Sequence, residues 1–168
     1  STENGGKELL FIQRARREGD PWSGDMAFPG GRLQPEDASA RAAAERETLE
    51  ETGMNLRRHG RFLIRLSDLV TRHHSRWRPM VVTPYVFEWR GPKSVSTNHE
   101  VERAVWVPMD YLGADANQGR LSWRTPLGTL NMPCCRYQDA CIWGLSYSML
   151  QELLALAPVK NESSIHDR

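Results

Sequence analysis

Three glutamates, Glu47, Glu50 and Glu51, occur within five positions near the end of a predicted helix. An α-helix advances about 100° per residue, so the three side chains share an arc of roughly 100° on one side. Like charges at this spacing destabilise a helix unless a cation offsets them. Oxygen ligands of this kind suit a hard divalent metal ion. A solvated acidic face is the alternative interpretation, but it leaves the adjoining glycines and arginine unexplained.

The helix that carries these glutamates has recognisable ends. Asp37 or Ser39 is expected to cap its beginning, because short polar side chains accept hydrogen bonds from the first free amides. The residues that follow are rich in alanine, the strongest helix former. The helix is predicted to run to about Thr52, and Gly53 is the residue expected just beyond a helix end.

Apolar runs and alternating patterns predict strands at residues 8–14, 61–66, 80–87 and 100–107. Pro84 lies inside the third run, which indicates an edge strand or a bulge there. An amphipathic pattern over residues 138–157 predicts a long helix. Strands that surround two helices indicate an α/β or α+β sandwich.

Composition narrows the class of protein. The 168 residues predict one domain over residues 1–158 and a flexible tail over 159–168. A net charge of +1 gives no reason to expect nucleic-acid or membrane-surface binding. No apolar run approaches the ~20 residues that span a bilayer. The cysteines, Cys134, Cys135 and Cys141, do not form a secreted disulfide framework, so a reduced, cytoplasmic protein is expected.

The glycine pair at 30–31 precedes the acidic helix and permits close backbone approach to a ligand. Glu47 and Glu51 are one turn apart, so both can bind one ion, while Glu50 can bridge to a second ion or to a metal-bound water. Arg46 can orient a carboxylate through charge-assisted hydrogen bonds. A metal held in this way neutralises a diphosphate and activates water, which suits attack of water on phosphorus.

Residues 46–54 resemble the Nudix box, G-x5-E-x7-R-E-U-x-E-E-x-G-U, where U is aliphatic. The residues that match it are Arg46, Glu47, Glu50, Glu51, Gly53 and Met54. Asp37 stands in place of the first glutamate, with one additional residue before the arginine. This variation, together with the sequence FPGG at 28–31, resembles the coenzyme A pyrophosphatase branch. The resemblance implies a Nudix-type α/β/α sandwich of α+β content with a mixed β-sheet.

The same resemblance implies a metal site and its cofactor. Glu47 and Glu51 would be the principal ligands of Mg2+ or Mn2+. Glu50 would complete the carboxylate cluster, and the carbonyl of Gly31 would add a ligand.

Catalytic roles follow from the resemblance as well. Arg46 would hold Glu47 in place. Members of the family differ in the carboxylate that activates water, and both Glu47 and Glu100 stay open as the base.

Four residues are expected to contact a nucleotide-type substrate. Arg14 ends the first predicted strand, and Arg32 follows the glycine pair, so either could contact phosphates. Trp77 and Arg78 belong to a basic, aromatic loop that could stack a base and hold a phosphate, although a solvated loop is the alternative.

The implied activity is hydrolysis of a diphosphate linkage in coenzyme A or acyl-coenzyme A, giving adenosine 3′,5′-bisphosphate and a phosphopantetheine. The alternatives are hydrolysis of ADP-ribose, a dinucleotide or another nucleotide, and a non-catalytic Nudix binding module. A prenyl diphosphate isomerase is disfavoured because no cysteine lies near the box. A homodimer is compatible with these features, and the oligomeric state stays open.

A Nudix sheet usually has a further strand before the one predicted at residues 8–14. Seven residues precede that strand here. We therefore hypothesise that an N-terminal segment is missing from this sequence, unless another strand takes its place.

Overall fold

A computed structural model describes residues 6–16, 18, 23–72, 79–125 and 128–157. The strands are β1 Glu8–Arg14, β2 Met26–Ala27, β3 Gly60–Arg65, β4 Leu69–Arg72, β5 Pro79–Val82, β6 Tyr85–Trp89, β7 Val101–Pro108, β8 Gln118–Thr125, β9 Gly128–Tyr137 and β10 Ala140–Trp143. The helices are α1 Ala40–Thr52, α2 Leu56–His59, α3 Met109–Gly113 and α4 Gly144–Leu156. The predicted tail over 159–168 lies outside the described residues.

Within the part of the chain that the structure describes, the strands form four small sheets. Two have three strands, in the orders β2-β1-β7 and β10-β9-β8, and two are the pairs β3-β6 and β4-β5. Every strand pairing within the described residues is antiparallel. The predicted α+β content is confirmed, because the structure contains both helices and antiparallel sheets.

One hydrophobic core joins the beginning and the end of the described chain. Its fully buried members come from strands and helices throughout the sequence and include Phe11, Val107, Leu112, Ile142 and Leu150. Burying a side chain of this size contributes about 1.5–3 kcal/mol. The hairpin β9-β10 and helix α4 therefore pack on the same core as β1 and β7.

Two predicted elements are divided differently in the structure. The run at 80–87 is broken at Thr83 and Pro84 into β5 and β6, because proline cannot donate a hydrogen bond to a ladder. Within the predicted helix 138–157, residues Ala140–Trp143 instead form β10, and the helix begins at Gly144. Strand pairing with β9 places Ile142 in the core, so tertiary packing overrides the helical pattern there.

Strand β1 is paired with later strands on both sides. β7 pairs with it from Glu8 to Arg14, and β2 pairs with it at Ile12 and Gln13. β7 therefore lies along the whole of one side of β1, whereas β2 covers the other side only at Ile12 and Gln13. The hypothesis of a missing N-terminal segment stays a prediction.

No helix in the described residues has both the length and the hydropathy that crossing a bilayer demands.

Candidate active site

Helix α1 is delimited by local hydrogen bonds. The backbone N–H of Ala42 donates to Oγ of Ser39 at 3.1 Å, so Ser39 is the cap and Asp37 is not. At the other end, Gly53 has a φ of +72° and its N–H donates to the carbonyl of Leu49 at 2.9 Å. Glycine adopts this left-handed conformation without strain, so the helix ends immediately after the glutamates.

Glu51 is the buried member of the acidic cluster, with 6% of its surface exposed. The backbone N–H of Gly30 donates to Oε2 of Glu51 at 2.9 Å. The glycine loop and the acidic helix are therefore in direct contact, as a shared site requires.

The environment of Glu51 favours its protonated form. Burial raises the pKa of Glu51 from 4.5 to about 7, against the opposing effect of the Gly30 hydrogen bond. Negative charge on Glu47 and Glu100 raises this pKa further, while Arg14 lowers it. Backbone hydrogen bonds support the proximity of these charges, because the N–H of Ser96 donates to the carbonyl of Thr52 and the N–H of Ala15 donates to the carbonyl of Glu100. The fold thus brings Glu100 and Arg14 near the end of α1, although both are distant from it in sequence.

Gly31 lies against Glu47, whose side chain is 14% exposed. A Cβ atom added to Gly31 would overlap the carboxylate of Glu47. A side chain at Gly31 would therefore displace either the loop or the Glu47 carboxylate, which Arg46 holds by a hydrogen bond.

Arg46 is the centre of a hydrogen-bond network. Its guanidinium donates to both carboxylate oxygens of Asp37 at 3.0 Å and to the carbonyl of Arg32 at 3.1 Å. It also donates to Glu47 at 2.9 Å and to Glu50 at 3.1 Å. These partners hold the pKa of the Arg46 guanidinium above its usual range, with Asp37 the largest cause. The structure thus places Arg46 where it orients Glu47.

Asp37 is the site residue that sequence reasoning did not assign. Its hydrogen bonds from Arg46, and the backbone amide of Gln34, hold the pKa of its carboxyl below the usual range. Because two parallel N–H donors bind its two oxygens, the pair fixes the plane of the guanidinium. The sequence signal was an acidic residue at the place where the box has its first glutamate.

The three glutamates do not share one environment. Glu47 and Glu51 face the glycine loop, whereas the Glu50 side chain is 52% exposed and pairs with Arg46. Within the described residues, no three histidine, cysteine or acidic side chains are gathered as a metal-ligand group. The donor chemistry nevertheless fits a divalent cation, because Glu47 and Glu51 are hard oxygen donors whose mutual repulsion a cation would offset.

The predicted substrate contacts have different outcomes. Arg14 and Arg32 line an open cavity that Gly30 and Gly31 also line. Trp77 and Arg78 lie outside the described residues. Arg32 directly follows the glycine pair, and Arg14 acts electrostatically on Glu51, which the Gly30 amide contacts.

The raised pKa of Glu51 predicts an unusual pH dependence of stability. Between about pH 4.5 and 7, folded Glu51 holds a proton that the unfolded chain has lost. The free energy of unfolding should therefore fall as pH rises through this window, by at most about 3 kcal/mol. Urea unfolding of metal-free protein at several pH values measures this. The Glu51→Gln variant should lack this contribution, and parallel curves for the two proteins would refute the prediction.

The sequence matches the NUDIX domain family over residues 2–124, which is more than half of the chain. The chain therefore belongs to the Nudix domain family.

Solved structures share its fold. A C. elegans Ap4A hydrolase in a binary complex has 21% sequence identity and a TM-score of 0.51, with 61% of this chain and 69% of that chain covered. A MutT/nudix family protein from Enterococcus faecalis has 20% identity and a TM-score of 0.52, with 86% and 53% covered. At this level of identity the likeness shows the fold alone, and the predicted Nudix fold is confirmed.

A curated relative is more similar in sequence. An uncharacterized protein of Schizosaccharomyces pombe is 36% identical over 104 residues, or 60% of this chain. The match covers 32% of that protein, so the chain spans about a third of the length of this relative.

Proposed function

We propose that this chain is a Nudix diphosphate hydrolase that depends on Mg2+ or Mn2+. The observation that carries the proposal is the buried carboxylate of Glu51, which contacts the Gly30 amide and lies in the electrostatic field of Glu47 and Glu100. Repulsion among three carboxylates at one helix end is unfavourable, and Arg46 offsets it at Glu47 and Glu50, while buried Glu51 accepts the Gly30 amide. Family membership supports the same interpretation.

Glu47 and Glu51 would hold the metal, with Glu50 and the carbonyl of Gly31 as further ligands. When bound, the cation would neutralise diphosphate charge and lower the pKa of water. Arg46 orients Glu47 through its hydrogen bond at 2.9 Å. Arg14 and Arg32 line the cavity beside the glycine loop, where they would bind phosphate oxygens.

The reaction needs a base as well as a metal. A water oxygen attacks phosphorus, the anhydride P–O bond breaks, and the proton of the water passes to a carboxylate. Glu47 and Glu100 are the two candidates. Glu100 is 48% exposed and is therefore accessible to water, whereas Glu47 is more enclosed and is held by Arg46.

Coenzyme A or an acyl-coenzyme A is the substrate that we propose. Support comes from the FPGG sequence at 28–31 and from the position of Asp37, both of which resemble the coenzyme A branch. A dinucleotide or ADP-ribose is the second candidate. The dinucleotides to be tested include a diadenosine polyphosphate, the type of compound for which the Ap4A hydrolase of similar fold is named.

We further propose that residues 1–158 form one domain. The core shared by Phe11, Val107 and Leu150 supports this extent, because it includes residues beyond the matched segment 2–124. All three cysteines are free thiols, which fits the cytoplasmic, reduced location that we also propose.

A substrate screen tests the proposed function. Purified protein with Mg2+ or Mn2+ is incubated with coenzyme A, ADP-ribose, a diadenosine polyphosphate and nucleoside triphosphates, and the products are separated by chromatography. We expect coenzyme A to yield adenosine 3′,5′-bisphosphate, and a chelator to abolish the reaction. Cleavage of a dinucleotide or ADP-ribose alone would overturn the coenzyme A assignment. No cleavage of any compound would overturn the hydrolase.

A further inference from the structure

Asn98 organises the turn that precedes β7 and carries Glu100. The backbone N–H of Glu100 donates to Oδ1 of Asn98 at 2.9 Å, and the N–H of Val101 donates to its carbonyl at 3.3 Å. Asn98 therefore accepts hydrogen bonds from the two backbone amides that flank the α-carbon of Glu100. Asparagine forms such turns readily because its side-chain oxygen imitates a backbone carbonyl.

Both ends of the segment 96–100 form backbone hydrogen bonds with elements of the candidate active site. The N–H of Ser96 donates to the carbonyl of Thr52 at 2.9 Å, immediately after Glu51. The N–H of Ala15 donates to the carbonyl of Glu100 at 2.8 Å, immediately after Arg14. The segment thus spans from the end of α1 to the end of β1.

Thr52, the residue of α1 that accepts the Ser96 amide, is held by burial and by hydrogen bonds of its own. Thr52 is fully buried, and its hydroxyl donates to the carbonyl of Thr48 and accepts the N–H of Met54. A Cβ atom added to Gly53 would lie 3.3 Å from Cβ of Ser96, so glycine permits the close approach of the segment. The Glu100 side chain is half exposed, and His99, which is one of its partners, lies 3.8 Å from its carboxylate.

We propose that Asn98 is a positioning residue for hydrolysis, which holds the backbone of Glu100 so that its carboxylate faces the Glu51 end of α1. The inference rests on the proposed function and extends it, because it assigns to the Asn98 side chain a role in the geometry of the reaction. The proposal requires that Glu100, and not Glu47, takes the proton from water, because Asn98 acts through Glu100.

A double-mutant cycle tests this role. Asn98→Ala removes the acceptor and should lower kcat about tenfold with KM within about twofold, because small displacements of a reacting group are costly. Asn98→Asp keeps an oxygen in place and should retain at least about a third of kcat. In a Glu100→Gln background, Asn98→Ala should change kcat by less than about twofold, since coupled residues are not additive. Independent, multiplicative losses would overturn the proposal.

A matched control is available in the same chain. Oδ1 of Asn55 accepts the N–H of Arg58 at 3.0 Å at the start of α2, so Asn55→Ala removes the same type of hydrogen bond. This control should leave kcat within about twofold of wild type. An equal loss in both variants would show a general effect on stability and would overturn the positioning role.

Amide hydrogen exchange separates this inference from the proposed function. Asn98→Ala should accelerate exchange at the Glu100 amide about tenfold or more, whereas Asn55→Ala should not. Unchanged exchange at Glu100 would overturn the anchoring role of Asn98, whatever the activity. The two proposals can also fail separately. If the wild-type protein cleaves no substrate while Asn98→Ala still accelerates exchange at Glu100, the proposed function is overturned, and with it the role of Asn98 in hydrolysis.

Discussion

Replacing Glu51 by glutamine is expected to lower kcat at least about 100-fold, on the scale of losing a key electrostatic group. Glutamine keeps the size of the side chain and can still accept the N–H of Gly30, so the fold should persist. It removes the negative charge that would hold the metal beside Glu47. Steady-state kinetics with saturating Mg2+, together with circular dichroism to confirm the fold, measure the effect.

Glu45 supplies the matched control for this prediction. It lies on the same helix, but its carboxylate pairs with Arg41 at 3.3 Å and with Arg57 at 3.0 Å, away from the glycine loop. Glu45→Gln should therefore leave kcat within about threefold of wild type. Near-normal activity of Glu51→Gln would count against its assignment as a metal ligand.

Replacing Gly31 by alanine is expected to have the second largest effect, a decrease in kcat of about 100-fold. The added methyl group would overlap the Glu47 carboxylate, so either the loop or the carboxylate must move. A displacement of about 1 Å at a catalytic group can cost this much in rate. The measurement is kcat with the substrate that the screen identifies, accompanied by a thermal melt.

Gly113 is a suitable control for the glycine substitution. A Cβ atom at Gly113 would have its nearest neighbour, Cδ2 of Leu154, at 3.9 Å, which is ordinary contact. Gly113→Ala should therefore keep wild-type kcat. If Gly31→Ala also retained wild-type kcat, the close approach of the loop to Glu47 would have no functional importance.

The acidic helix was predictable from sequence because its signals are local. Ser39 caps α1, alanines fill its first turns, and Gly53 ends it, as the sequence indicated. Each of these features depends on hydrogen bonds within a few residues. Strand β1 was also predicted with its observed bounds, Glu8–Arg14, because its apolar run is a local pattern, although its partner strands lie elsewhere in the chain.

Elements that depend on distant partners were less predictable. Residues 140–143 fit a helical pattern, yet they form β10 because β9 offers a strand to pair with and the core accepts Ile142. Likewise, Asp37 was a plausible helix cap by its position, but Arg46 binds it with two hydrogen bonds. Local propensity is a weak prior where packing or ion pairing supplies more free energy.

The sequence by itself determined the chemical content of the site: the three glutamates, the arginine beside them and the glycine pair before them. Helical periodicity alone grouped Glu47, Glu50 and Glu51, because side-chain direction in a helix follows from spacing. Only the tertiary structure decided which of them turn inward and which distant residues join them. Glu51 is buried against Gly30, Glu50 is half exposed on Arg46, and Glu100 reaches the site through a turn fastened to Thr52 and Ala15. The contact of Glu51 with Gly30 and those of the Glu100 turn with Thr52 and Ala15 join residues far apart in sequence, and no local pattern encodes them.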